Sequence, residues 1–175
     1  MTTSRMLAAG TFGVDVNVKL DDGAYLTPLT PDDAGEVLTL QYAAFVSEAQ
    51  RYNDPMILPL TQSVDDVAAE LAEGGLGVRE PSGRLIGAVR WSAHDLPEAT
   101  TIKRLVIAPD QRRRGIGARL LAAAEVASGG TRFELITGSA SPDNLAFYAR
   151  AGYAEIGRVR QGQLELAHLR KDAVR

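Results

Sequence analysis

The chain reads as a mixed α/β (α+β) fold, and three observations predict it. Apolar and polar residues alternate over 14–20 and 24–29, and strand-like runs recur at 76–80, 84–92, 100–107 and 131–137. Between them lie stretches of helical spacing with capping signals at their starts. In the middle, strands follow one another through Pro81-Ser82-Gly83 with no helix between, which departs from the strict alternation of a fully parallel sheet.

Taken in order, Asp21-Asp22-Gly23 signals a hairpin turn between the first two strands. Thr30-Pro31-Asp32-Asp33 then opens a helix. Thr30 can cap it, proline suits its first position, and the acids favour the positive end of its dipole. Leu38, Tyr42, Phe45 and Ala49 follow at helical spacing, and the two prolines in 52–62 predict a loop. Ser63 and Asp66 form a capping-box pattern for a second helix, with Val64, Val67, Ala68 and Leu71 on one face and Gly74-Gly75 at its end.

A third helix is expected from about Arg114 to Ser128, with Ile116, Leu120, Ala124 and Ala127 as its apolar stripe. Ser141-Pro142 opens a short helix that Gly152 ends. Strands at about 153–159 and 163–169 close the chain around Gln161-Gly162.

The 175 residues suit one domain, 1–175, with 1–13 expected to dock loosely. There is no cysteine and there are only two histidines, which excludes disulfide scaffolds, thiol catalysis and Cys- or His-rich metal sites. No metal is expected. Hydrophobic residues make up 45% of the chain, yet no apolar run is long enough for a membrane span, and no leader pattern is visible. No membrane partner is expected, and a cytoplasmic location is the default.

The formal net charge is −3, which argues against nucleic acid as a partner. The charge is uneven, however. Residues 103–119 hold six basic side chains and one acid, whereas 31–80 hold ten acids and two arginines.

The segment IKRLVIAPDQRRRGIGARLL, 102–121, runs from a strand through a glycine turn into a helix. Helix N-termini present unpaired N–H groups, glycines permit close approach, and arginines add bidentate donors. Together they describe a pyrophosphate cradle. The ATP/GTP loop lacks its Lys-Ser/Thr here. The dinucleotide fingerprint fails because its third glycine is Leu120.

Arg112-Arg113-Arg114-Gly115-Ile116-Gly117 resembles the [QR]-x-x-G-x-[GA] motif of the GNAT superfamily of N-acetyltransferases. Asn144-Leu145-Ala146-Phe147-Tyr148 and Ala151-Gly152-Tyr153 resemble that family's second block. The resemblance is specific over about 100–155. It implies a mostly antiparallel sheet of about seven strands with a splayed parallel pair, 100–107 and 131–137, flanked by about four helices.

It also implies acetyl-CoA as co-substrate and direct attack of a small-molecule or peptide amine on the thioester. The backbone of Leu105, Val106 and Ile107 would pair with pantetheine. Amides from Arg112 to Ala118, including those of Arg113, Arg114, Gly115, Ile116 and Gly117, would hold the pyrophosphate. The arginine side chains, with Arg119, would meet the phosphates. Asn144 would bond pantetheine or cap its own helix. Tyr148 matches the tyrosine that serves the thiolate; packing against Leu145 is the plainer role for it.

Many relatives carry a glutamate on the strand before the Arg-Leu pair, where this chain has Thr101. Glu98 is the nearest candidate base, with His94 and Asp95 beside it; an exposed loop, with deprotonation through water, is the alternative. The acceptor pocket would come from about 40–60, with Phe45, Glu48 and Tyr52, near Asp54 and Met56. Its acids would draw a cationic amine. Members are often homodimers. Two rival readings use the same residues: a non-catalytic acyl-CoA sensor, and a nucleic-acid-binding domain built on the arginines.

Overall fold

The computed structural model describes residues 23–93, 98–162 and 164–173. The strand expected at 14–20, the segment 1–13 expected to dock loosely, His94 and Asp95 lie outside them. The strands are β1 (Tyr25–Pro28), β2 (Gly75–Arg79), β3 (Leu85–Ala93), β4 (Ala99–Ile107), β5 (Arg132–Gly138), β6 (Ala154–Gln161) and β7 (Leu164–Asp172). The helices are α1 (Ala34–Tyr52), α2 (Leu58–Thr61), α3 (Val64–Glu73), α4 (Ile116–Ser128) and α5 (Pro142–Arg150).

Local chemistry sets these boundaries. The Thr30 N–H donates to Asp33 Oδ2 at 2.8 Å, fixing the 3-10 turn Pro31–Asp33 that leads into α1. Ser63 and Asp66 cap α3 reciprocally, the Ser63 N–H donating to Asp66 Oδ2 at 2.7 Å. Asn53, left-handed at φ 50°, closes α1.

Two expectations change. The stretch 52–62 is not all loop, because α2 forms inside it with Pro59 near its start, where the missing N–H does no harm. The buried side of α1 includes Val37, Leu38, Gln41 and Ala44, and Tyr42 is 39% exposed. A buried polar group on β3 turns Gln41 inward, as described below.

The seven strands form one sheet in the order β1-β2-β3-β4-β5-β7-β6. Every pairing is antiparallel except β4 with β5. That parallel seam joins only Ala99 to Arg132, Thr100 to Phe133 and Thr101 to Glu134, after which the strands part.

β3 and β4 shift register where Arg90 pairs with Lys103 and Ala88 with Val106. Arg104 and Leu105 therefore oppose Val89 alone, and Arg104 takes φ 52°. This is a β-bulge, which bends the strand at the point where it leaves β5.

Helices cover both faces. A Cβ on Gly87 would meet Leu120 and Ile116 of α4, whereas Arg90, three residues on, reaches Gln41 of α1 and Glu70 of α3. Ile116, Leu120, Leu121 and Ala124 of α4 are buried and share one core with Ile86, Val89 and Val106. Ala127, expected on that stripe, packs at its margin.

Candidate active site

Where β4 and β5 part, a cleft of about 1060 Å³ opens. Its floor is β4 from Thr101 to Ile107 and the end of β5, Ile136 to Gly138. Leu105, Val106 and Ile107 all line it. The β4 backbone here has no strand beside it on the β5 side, so the amides and carbonyls of that edge face the gap.

The glycine turn forms one wall, through Gln111, Arg112, Arg113 and Gly115 to Ala118. Gly115 has φ 75° and Arg113 φ 64°, so two left-handed residues turn the chain into α4. The first bond from within the helix runs from the Arg119 N–H to the Gly115 carbonyl, 3.2 Å. The N–H groups of Ile116, Gly117 and Ala118 thus have no intrahelical acceptor and lie at the positive end of the dipole. A Cβ on Gly117 would find Ile107 and Phe147 at 3.6 Å, ordinary contact.

The arginines divide. Arg112 donates from Nη2 to the Ala44 carbonyl at 2.8 Å and from Nη1 to Ser47 Oγ at 3.5 Å, tying the turn to α1. Arg113 lines the cleft. Arg114 does not; its Nη1 donates to the Gln111 side chain. Arg119 also lies off the cleft wall.

Asn144 lines the cleft and does not cap its helix. Ser141 does that, accepting the Asn144 N–H at 3.4 Å. Tyr148, one turn further along α5, makes edge contacts with Phe147 at 5.0 Å and Tyr153 at 5.8 Å. Burial pushes its phenol well above the usual value, and the Glu48 carboxylate pushes it further.

Glu48 comes from the facing helix α1. Burial raises its carboxyl above the ordinary 4.5, against the pull of Arg51 and Arg112. Gly138 lets α1 come this close. A Cβ there would stand 2.5 Å from Tyr52 Oη and 2.7 Å from Glu48 Oε1. Tyr52 Oη accepts the Ala140 N–H at 3.1 Å, which fixes α1 over the end of β5. Phe45, Glu48 and Tyr52 all line the cleft.

Glu98 does not. It sits at the closed end of the seam with φ 65°, its carbonyl accepting the Thr131 N–H at 2.9 Å and Oε2 accepting from Thr131 Oγ1 at 3.3 Å. Three paired residues separate it from the opening. Asp54 and Met56 also lie off the cleft wall. Asp54 Oδ1 accepts the Met56 N–H at 2.8 Å, and Met56 is 70% exposed.

Between α1, α3 and the sheet lies a buried polar network. Arg90, 1% exposed, contacts Glu70 Oε2 at 2.8 Å and donates to Gln41 Oε1 at 2.5 Å. Gln62 donates to Glu70 Oε1 at 2.8 Å, and its own Oε1 accepts from Gln41 at 3.0 Å and from Arg104 Nε at 3.1 Å. Burial lowers Arg90 to about 10 and also lowers Arg104; Glu70 opposes both shifts.

The acidic stretch 31–80 contributes only Glu48 and Glu70 to the cleft, joined by Asp143. Against these three stand Arg51, Lys103, Arg104, Arg112, Arg113 and Arg150. The expected acidic pocket is instead a basic one, because most acids of that stretch cap helices or face water.

Among the described residues no three His, Asp or Glu side chains group as a metal site, and no helix is long and apolar enough to cross a membrane.

Residues 72–155 match the family described as Acetyltransferase (GNAT) domain. UPF0157 protein YqkA of Bacillus subtilis (strain 168) is 29% identical over 140 residues, 78% of this chain. The chain spans 40% of the length of that relative. The PaiA N-acetyltransferase of Thermoplasma acidophilum, solved with coenzyme A, shares the fold at TM-score 0.68 and 16% identity, over 85% of this chain and 98% of that one. A spermidine N-acetyltransferase SpeG chimera from Vibrio cholerae and hSSAT does so at TM-score 0.64 and 17% identity, over 85% and 95%.

Sheet, seam and family match define the class, an acetyltransferase fold built around a split parallel pair. Residues 72–155 thus match the GNAT domain family, and the sheet that carries them has the fold of solved acetyltransferases.

Proposed function

We propose that the described residues form one catalytic domain that transfers acetyl from acetyl-CoA to a primary amine. The observation that carries this reading is the open seam. The β4 edge at Leu105 to Ile107 that faces β5 has no strand partner there and leads toward three helix N-terminal amides without an intrahelical acceptor. Pantetheine can add to β4 as a strand does, and the pyrophosphate can rest on Ile116 to Ala118. The solved coenzyme A complex of a protein with this fold supports the fit.

The residues divide the proton work. Glu48, raised by burial, takes the proton of the attacking amine. A β4 N–H polarises the thioester carbonyl as the C–N bond forms. Tyr148, held protonated, gives its proton to the departing thiolate as the C–S bond breaks. Glu98, outside the cleft, has no part in this scheme.

Acetyl-CoA should stabilise the protein. At a hundredfold excess over Kd the gain is about 2.7 kcal/mol, a rise of roughly 5–10 °C in Tm at this size. Gly117→Glu should abolish that rise by filling the cradle. Release of free CoA above background with an amine separates an enzyme from a non-catalytic acyl-CoA sensor. Binding without release, over a broad amine panel, would decide for the sensor. Absence of any shift at millimolar acetyl-CoA would defeat both and return attention to the arginines as a nucleic-acid surface.

A further inference from the structure

We infer that the acceptor is an amine that also carries a carboxylate, an amino acid in the broad sense, and that Arg104 holds that carboxylate. This deepens the acetyl-transfer reading and rests on it. The argument begins with charge. Arg90 and Arg104 share one carboxylate, Glu70. Both Glu70 oxygens are engaged, Oε2 by Arg90 and Oε1 by Gln62. Arg104 receives only the neutral amide oxygen of Gln62, at its Nε. Among the described residues neither Nη atom of Arg104 has a hydrogen-bond partner, and Arg104 is one of the residues lining the cleft.

A half-buried guanidinium at a cleft, with both Nη groups left without a protein acceptor, suits a planar oxyanion. An unmatched positive charge in a buried network is costly, and a bound carboxylate removes that cost. The phosphates of the co-substrate do not supply it. Arg104 contacts the network of α1 and α3 on one face of the sheet, and the cradle amides belong to α4 on the other.

The spacing suits a molecule with two ends. Gln41, which positions the network, and Glu48, which receives the amine proton, lie on one side of α1, about 10 Å apart along its axis. Phe45 lines the cleft between them and offers an apolar surface for the intervening carbons. A polyamine has no group for Arg104 and would add charge to a wall already rich in arginine.

The test compares each proteinogenic amino acid and several ω-amino acids with the matching carboxamide, and with spermidine, in CoA release by the wild-type protein. At least one acid should exceed its amide in kcat/KM by on the order of a hundredfold. Arg104→Gln should close that gap through KM, and Arg104→Lys should restore part of it. Equal turnover of acid and amide, preference for spermidine, or no turnover of any amino acid would overturn the assignment. If acetyl-CoA still raises Tm in those cases, the acetyl-transfer reading stands alone. If acetyl-CoA gives no rise, both fall.

Discussion

Arg112 Nη2 donates to the Ala44 carbonyl at 2.8 Å, so the turn that opens α4 is fastened to α1 across the mouth of the cleft. An arginine in such a turn is easily assigned to phosphate, but here its side chain already has protein partners. Arg112→Met should lower stability by about 1 kcal/mol and weaken acetyl-CoA binding by loosening the turn. Arg113→Ala should leave stability within about 0.5 kcal/mol and still raise the Kd for acetyl-CoA. Urea unfolding and isothermal titration of both variants would show the contrast; equal stability loss in the two would refute it.

Under the proposed mechanism, the pair Glu48 and Tyr148 should set the pH response. A base works only when deprotonated, and burial holds Glu48 above 4.5. The quantity kcat/KM should therefore rise with pH through that raised value and level off above it. Glu48→Gln should remove the limb and lower kcat by on the order of 10²- to 10⁴-fold. Tyr148→Phe should lower kcat and keep the limb, because its phenol stays protonated throughout. Initial rates across pH, at saturating acetyl-CoA, distinguish these patterns.

Glu70 holds the buried network together. Glu70→Gln keeps the shape but leaves two guanidiniums without a counter-charge, a loss of about 3–5 kcal/mol for a buried pair broken on one side. The double change Glu70→Gln with Arg90→Met should recover much of it. Urea midpoints of the single and double variants form the check, and additive losses would contradict the coupling.

Glu134 on β5 is buried and contacts His168 Nε2 at 2.7 Å and Arg170 Nε at 3.0 Å. Burial alone would raise its pKa, but these partners outweigh burial and hold it below 4.5. Its folded value is depressed, so its contribution to stability is present above 4.5 and is lost as pH falls through the folded value. Glu134→Gln should flatten the acid side of the stability curve, measured as urea midpoint against pH.

What the sequence disclosed and what it hid follow from distance along the chain. The capping box at Ser63, the turn at Gly83 and the glycine turn at Gly115 are set by neighbouring residues and read directly, whereas the parallel seam entered only through the family resemblance. Glu98 misled because sequence proximity to β4 places it at the closed end of the seam, whereas Glu48 reaches the opening from a helix ninety or so positions before β5 ends. Arg90, set between Val89 and Trp91 in an apolar strand, was a visible sign of a buried cation. Its partners Gln41 and Glu70 carry no local signal, since only folding brings them to it.

The parallel seam also bears on how this protein is assembled in time. β2, β3 and β4 pair with neighbours close in sequence, as do β6 and β7, whereas β1 meets β2 across α1 to α3 and β4 meets β5 only after α4 and its turn have been looped out. Three residue pairs are a small return on that loop closure. The two half-sheets can therefore form separately and dock late, in the manner of non-local contacts that slow folding. Amide hydrogens on either side of the gap should exchange as two cooperative blocks, and a ligand lodged in the gap would merge them into one.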